Sequence, residues 1–136
     1  MIERVAATEK TLAKFRHRPF DWKHGTTCIH LARTQARNMG HRVPALPRFT
    51  SAIGARTALR STGHETLEAL LDSLFERIVP ARMLVGDLAM LPSDDAFGSV
   101  LIYDGLSKLL GWHPDAPDGI APVAGAISDV RGAWRL

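Results

Sequence analysis

Cysteine and long apolar runs are both scarce in this sequence. Cys28 is the only cysteine among 136 residues, which excludes an internal disulfide and a zinc cluster built on cysteines. No apolar run approaches the ~18 residues of a membrane-spanning helix. Residues 1–14 carry several charges instead of the apolar segment of a signal peptide. We therefore expect no membrane span and synthesis in a reducing cytoplasm.

The familiar phosphate-binding and metal-binding motifs are missing as well. The chain contains no Gly-x-x-x-x-Gly-Lys loop, no Gly-x-Gly-x-x-Gly fingerprint and no His-Glu-x-x-His pair. Two adjacent acids, Asp94 and Asp95, indicate a solvated turn more than a cation site. We expect neither a cofactor nor a bound metal ion.

Acidic residues are rare in the first half of the chain. Residues 1–64 hold twelve lysines and arginines against three acids, whereas residues 65–136 hold five against eleven. Halves of unlike charge favour docking between complementary protein surfaces. Nucleic-acid binding by the basic half is an alternative that ranks lower, because no recognition motif accompanies the positive charges.

Hydrophobic periodicity predicts that the first part of the chain is helical. The expected helices cover about residues 2–18, 27–39, 50–62 and 65–78. The side chains expected to face inward are Val5, Thr8, Leu12 and Phe15 in the first helix, Ile53 and Leu59 in the third, and Leu67, Leu70, Leu71, Leu74, Phe75 and Ile78 in the fourth. Two prolines make segment 41–49 an extended connector.

Strand-forming residues and turn signals dominate the second part. Strands are expected at 86–92, 99–103, 108–112, 120–123 and 133–136, with a turn at 93–95 and a loop at 113–119. A helical part of about 1–79 followed by an antiparallel β-meander of about 84–136 predicts one α+β domain over residues 1–136.

Cys28 stands at the start of the second predicted helix. Thr26 and Thr27 precede it, and either hydroxyl could cap the helix. The positive end of the helix dipole favours a thiolate, as a nucleophile requires. The alternative is that Cys28 is a small apolar residue on a buried helix face, where cysteines are common.

Nine residues around this helix and the strands occur in a characteristic order. They are Pro19, Phe20, Trp22, Gly25, Cys28, Gly63, Gly86, Asp87 and Gly105. Their order resembles the NlpC-like branch of papain-fold cysteine peptidases, and more closely the small relatives encoded in tail gene clusters of bacteriophages and gene transfer agents. The resemblance covers roughly residues 15–112. It implies a papain-like (NlpC-type) core with Cys28 at the nucleophile position.

The chain departs from the family pattern at two positions. Thr27 stands where an aspartate precedes the cysteine, and Ser99 stands where the resemblance places the catalytic histidine. Serine cannot act as a general base near neutral pH. His113 falls near the position of the residue that orients the imidazole. His30 is a poor substitute base, since positions i and i+2 of a helix do not face each other, and His24 would have to fold back.

The resemblance and the missing histidine imply a structural component of a bacteriophage tail tip with an inactive peptidase fold. Such a protein would be made in the bacterial host cytoplasm and reside in the virion tail, with distal-tail and hub proteins as partners. The first alternative is an active peptidase or amidase that cleaves peptidoglycan during DNA entry. Cys28 would then be its nucleophile, His113 or His24 its base, and backbone N–H groups its oxyanion hole. The second alternative is a basic nucleic-acid-binding module.

Overall fold

The chain folds into helices packed on one face of an antiparallel sheet. The structure, a computed structural model, describes residues 2–92, 99–113, 116–123 and 126–136. Within these residues it is an α+β protein with four α-helices and a six-stranded sheet. None of the helices in the described ranges is long and apolar enough to cross a membrane.

The helices come first, as the periodicity predicts. They are α1 (Ile2–Phe15), α2 (Cys28–Asn38), α3 (Ala52–Ser61) and α4 (Leu67–Leu74). The last three each begin after a threonine or serine whose side chain accepts a backbone N–H of the first turn. Segment 41–49 has no regular secondary structure, which agrees with the predicted connector.

All strand pairs in the sheet are antiparallel. The strands are β1 (Glu76–Ile78), β2 (Leu88–Leu91), β3 (Ser99–Tyr103), β4 (Leu109–His113), β5 (Ala116–Val123) and β6 (Gly132–Arg135). Their order across the sheet is β1-β6-β2-β3-β4-β5. Strands β2 to β5 therefore form the predicted meander, and β6 returns to lie between β1 and β2.

The main core lies between this sheet and the helices. Helix α2 packs against both α1 and β3. Val100 and Ile102 of β3 belong to this main core, whereas Leu101 belongs to a smaller cluster on the opposite face of the sheet. This alternation follows from the two-residue period of a strand.

Two residues predicted to be inward are exposed instead. Val5 is 47% exposed, because Arg4 takes the inward position on that turn of α1 and reaches Asp87 and the Val85 carbonyl. Ile53 is 81% exposed, because α3 buries Ala55, Ala58 and Leu59 on the other side of the helix.

The predicted fourth helix is too long. Helix α4 ends at Leu74, Phe75 is extended, and Glu76–Ile78 pair with β6 as an edge strand. Ile78 is therefore a strand residue. The part of the chain predicted to be helical, about residues 1–79, therefore also contains strand β1.

The predicted loop at 113–119 is also wrong where the structure describes it. Strand β5 begins at Ala116 and pairs with β4. It tolerates proline because it is the last strand of the sheet. A Cβ at Gly119 would lie 2.3 Å from the Arg16 carbonyl oxygen, so glycine allows this strand to pass close to the end of α1. The predicted turn at 93–95 lies outside the described residues.

Candidate active site

Cys28 is the first residue of α2, as the sequence predicts. Of the two candidate caps, Thr27 is the N-cap, with extended backbone angles of φ −116° and ψ 170°. Its Oγ1 accepts the His30 N–H at 3.4 Å. Thr26 has a different role, because its hydroxyl donates to the Pro19 carbonyl at 2.7 Å. Cys28 is half-buried and packs against the main core. It lies at the positive end of the helix dipole, which favours a thiolate.

His24 and His30, the histidines nearest to Cys28 in sequence, each bond to another side chain. His24 Nδ1 lies within hydrogen-bond distance of the Asp21 carboxylate. This contact, more than the Lys23 backbone N–H, lowers the pKa of Asp21 below its usual value. His30 Nδ1 lies 2.8 Å from Thr27 Oγ1. Burial, followed by the charge of Arg33, lowers the pKa of His30.

Ser99 lies on the face of the sheet opposite to the one that α2 covers. It is the half-buried first residue of β3, opposite Leu91 of β2. Because alternate residues of a strand point to opposite faces, Ser99 shares the face of Leu101 and Tyr103. The positions of β3 that face α2 are Val100 and Ile102.

His113 is the last residue of β4. Its Cα pairs with that of Ala116 in β5, after a register shift that follows Gly111. The His113 side chain lies outside the described part of the structure, as do Asp94 and Asp95. Among the described residues, no three histidine, cysteine, aspartate or glutamate side chains cluster as metal ligands would.

Asp87 is fully buried and acts as an anchor between the two ends of the chain. Its carboxylate accepts the backbone N–H of Leu84 at 2.8 Å and that of Leu136 at 3.0 Å. Guanidinium groups of Arg4 and Arg135 bind its two oxygens. No local pattern in the sequence identifies the two arginines as partners of Asp87.

The sequence also does not locate the cations that line a cavity beside α2. Lys23, Arg33 and Arg48 belong to the loop before α2, to α2 itself and to the connector. The charge excess of residues 1–64 is the only sequence signal for such a site, and it does not say which cations converge.

Comparison with known proteins identifies the family of the chain. A family model described as Domain of unknown function (DUF6950) matches residues 3–136. Because this match covers nearly the whole sequence, the chain belongs to that family. No curated protein matches the chain.

Proposed function

We propose that this member of the DUF6950 family is a structural protein of a bacteriophage tail tip, built on a papain-like (NlpC-type) core with a degenerate peptidase site. One observation carries the proposal: a capped helix that begins at Cys28 packs against β3, inside an antiparallel meander. The resemblance implies this arrangement of helix and sheet for a papain-like core. The relatives it points to are encoded among phage tail genes.

The residue at the expected histidine position supports the inactive form of this core. An active thiol needs an imidazole close enough to take its proton. Ser99 occupies the position that the resemblance gives to the histidine, and its strand turns it away from α2.

A genetic experiment on the phage or prophage that encodes the chain tests this proposal. The gene is deleted and then complemented with the wild-type chain, with Cys28→Ser, or with Thr34→Ser as a matched conservative change on the same helix. We expect the chain in purified virions, at a small symmetric copy number per tail. All three complemented phages should form infective particles equally well.

Two outcomes would contradict the structural role. The first is absence of the chain from purified virions while tails assemble normally. The second is intact Cys28→Ser particles that no longer infect, when Thr34→Ser particles still do. That second result would assign a chemical role to the sulfur atom.

An active cysteine peptidase or amidase is the second candidate. The observation that favours it is the placement of Cys28 on the first turn of a capped helix, where the dipole stabilises a thiolate. An active thiol should react with iodoacetamide at pH 6.5 much faster than free cysteine does. Peptidoglycan turnover should be lost in Cys28→Ala and His113→Gln. Slow labelling that requires denaturant would instead support the structural role.

A further inference from the structure

A cavity of about 500 Å³ opens beside the first turns of α2. Its walls come from the loop before α2, from one side of α2 and from the end of the connector. The residues that matter for its chemistry are Lys23, His24, His30, Arg33, Arg48 and Phe49. Of the described residues that line it, none is acidic, so its lining is positively charged.

The three permanent cations of this cavity, Lys23, Arg33 and Arg48, lie outside the ion pairs of the described fold. Elsewhere arginines form ion pairs, as Arg60 does with Glu65 and Arg77 with Glu68. Among the described residues, no such pair involves Lys23, Arg33 or Arg48. The cavity therefore presents three permanent positive charges outside any ion pair, and the negative charge beside it is that of Asp21, which bonds to His24 and interacts with Lys23.

Arg33 has an unused hydrogen-bond donor in the wall of the cavity. It is half-buried, since it also borders an apolar pocket between α2 and α4. Its Nε atom is buried and has no hydrogen-bond partner among the described residues. An unsatisfied buried N–H of a charged group costs free energy, so Arg33 keeps an unused donor in the wall of the cavity.

His30 contributes a further donor on the same side of α2. The Thr27 hydroxyl oxygen accepts the His30 backbone N–H, and the hydroxyl hydrogen can be donated to Nδ1 of the His30 ring. In that tautomer the ring hydrogen lies on Nε2, the atom that a Cβ added at Gly25 of the cavity wall would meet at 3.6 Å. The Phe49 ring, centred 4.9 Å from the imidazole, holds it in place.

We propose that this cavity binds an oxyanion of the phosphate class, as inorganic phosphate or as a small phosphate monoester. A dianion balances the local charge better than a carboxylate does, and its oxygens can accept from several donors at once. Guanidinium groups bind such oxygens through charge-assisted hydrogen bonds. The proposal rests on the cavity alone and stands whether or not the chain has a papain-like core.

The test titrates the purified chain with inorganic phosphate and follows ³¹P NMR line width and urea unfolding, with sodium chloride at equal ionic strength as reference. Saturable binding is expected. At ten times its Kd, phosphate should lower the equilibrium constant of unfolding about elevenfold. Acetate should bind clearly more weakly than phosphate at the same concentration.

Variants decide whether the effect belongs to the cavity. Arg33→Gln and the exposed Arg48→Gln should each weaken phosphate binding roughly tenfold or more. Arg56→Gln, on the exposed side of α3, is the matched control and should bind like the wild type. Because Arg48 is exposed, its variant keeps the test valid if Arg33→Gln fails to fold.

Four results would overturn the proposal. The first is a phosphate effect no stronger than that of chloride, and the second is phosphate binding that survives both cavity variants. The third is acetate binding as strong as phosphate binding, which would exclude a preference of the cavity for the phosphate class. Tight, strongly salt-dependent binding of a single-stranded oligonucleotide without phosphate binding would identify a nucleic-acid surface instead.

Discussion

Replacement of Asp87 by asparagine should destabilise this fold severely. The carboxylate is fully buried at the turn before β2. Its Oδ1 accepts from Arg4 Nη2 and the Leu136 N–H, and its Oδ2 accepts from Arg135 Nε and the Leu84 N–H. One side chain thereby ties α1 and the end of the chain to the centre of the sheet.

The magnitude follows from these four hydrogen bonds. Asparagine keeps the shape of the side chain, but its NH₂ group cannot accept, so two of the four bonds are lost whichever way the amide turns. Each bond to a charged acceptor contributes roughly 1.5–3 kcal/mol. Arg4 and Arg135 side chains are 19% and 32% exposed, so water recovers part of the loss. We therefore expect a loss of about 3–5 kcal/mol, a large share of the ~5–15 kcal/mol that stabilises a typical domain.

Urea unfolding followed by tryptophan fluorescence measures this loss, since Trp134 is fully buried in the same sheet. Asp129→Asn, at an exposed position, is the control and should stay within roughly 0.5 kcal/mol of the wild type. A loss below about 1 kcal/mol for Asp87→Asn, with an unchanged slope, would refute the reasoning that this carboxylate anchors the two ends of the chain.

Three further predictions concern the neighbourhood of α2, all measured by urea unfolding. Gly86→Ala should cost about 2–5 kcal/mol, because φ is +89° and the new Cβ would lie 2.7 Å from Thr8 Oγ1. Gly63 has the same φ, but a Cβ added there would meet open space, so Gly63→Ala should lower the free energy of unfolding by about 1–2 kcal/mol. Thr27→Ala should lower the free energy of unfolding by about 1–2 kcal/mol through loss of the N-cap, whereas Thr27→Ser should retain most of the capping stabilisation. Equal losses in the two variants would exclude the hydroxyl as the cause. The pKa of His30 is lowered in the folded state, so the unfolded chain binds its proton first and stability should fall as pH drops below about 6.5. This part of the pH dependence should disappear in His30→Asn, measured in buffers without phosphate, and its persistence there would assign it to another group.

Elements set by local signals are predicted well from this sequence. Helix α2 has a capping threonine and a glycine after its end, and β3 is a run of strand-forming residues, so both bounds agree closely with the structure. The errors occur where a distant partner decides. Residues 76–78 continue an apolar helical pattern, yet β6 recruits them as a strand. Likewise β5 begins at Ala116, which pairs with β4, although Pro117 and Gly119 indicate a loop.

The candidate site is predictable only in part, for a similar reason. The cap and the placement of Cys28 at a helix start are local properties, and both are confirmed. Whether Ser99 faces α2 depends on which side of the sheet the helices cover, and a two-residue period alone does not fix that side. The convergence of Arg33 and Arg48 depends on how the connector folds back over α2, which no local pattern records.

The unequal charge of the two halves is not cancelled by folding, and this bears on every function considered for the chain. Acids of the second half are bound largely by arginines of the same half, as Glu68 is by Arg77 and Arg131. Across the halves, the described ion pairs are those of Arg4 with Asp87 and Arg60 with Glu65. Both proposals use the positive charge beside α2, since an acidic protein surface or a phosphate would each be attracted to it. A phosphate bound there would saturate at a defined stoichiometry, whereas an acidic protein surface would lose affinity steadily with added salt.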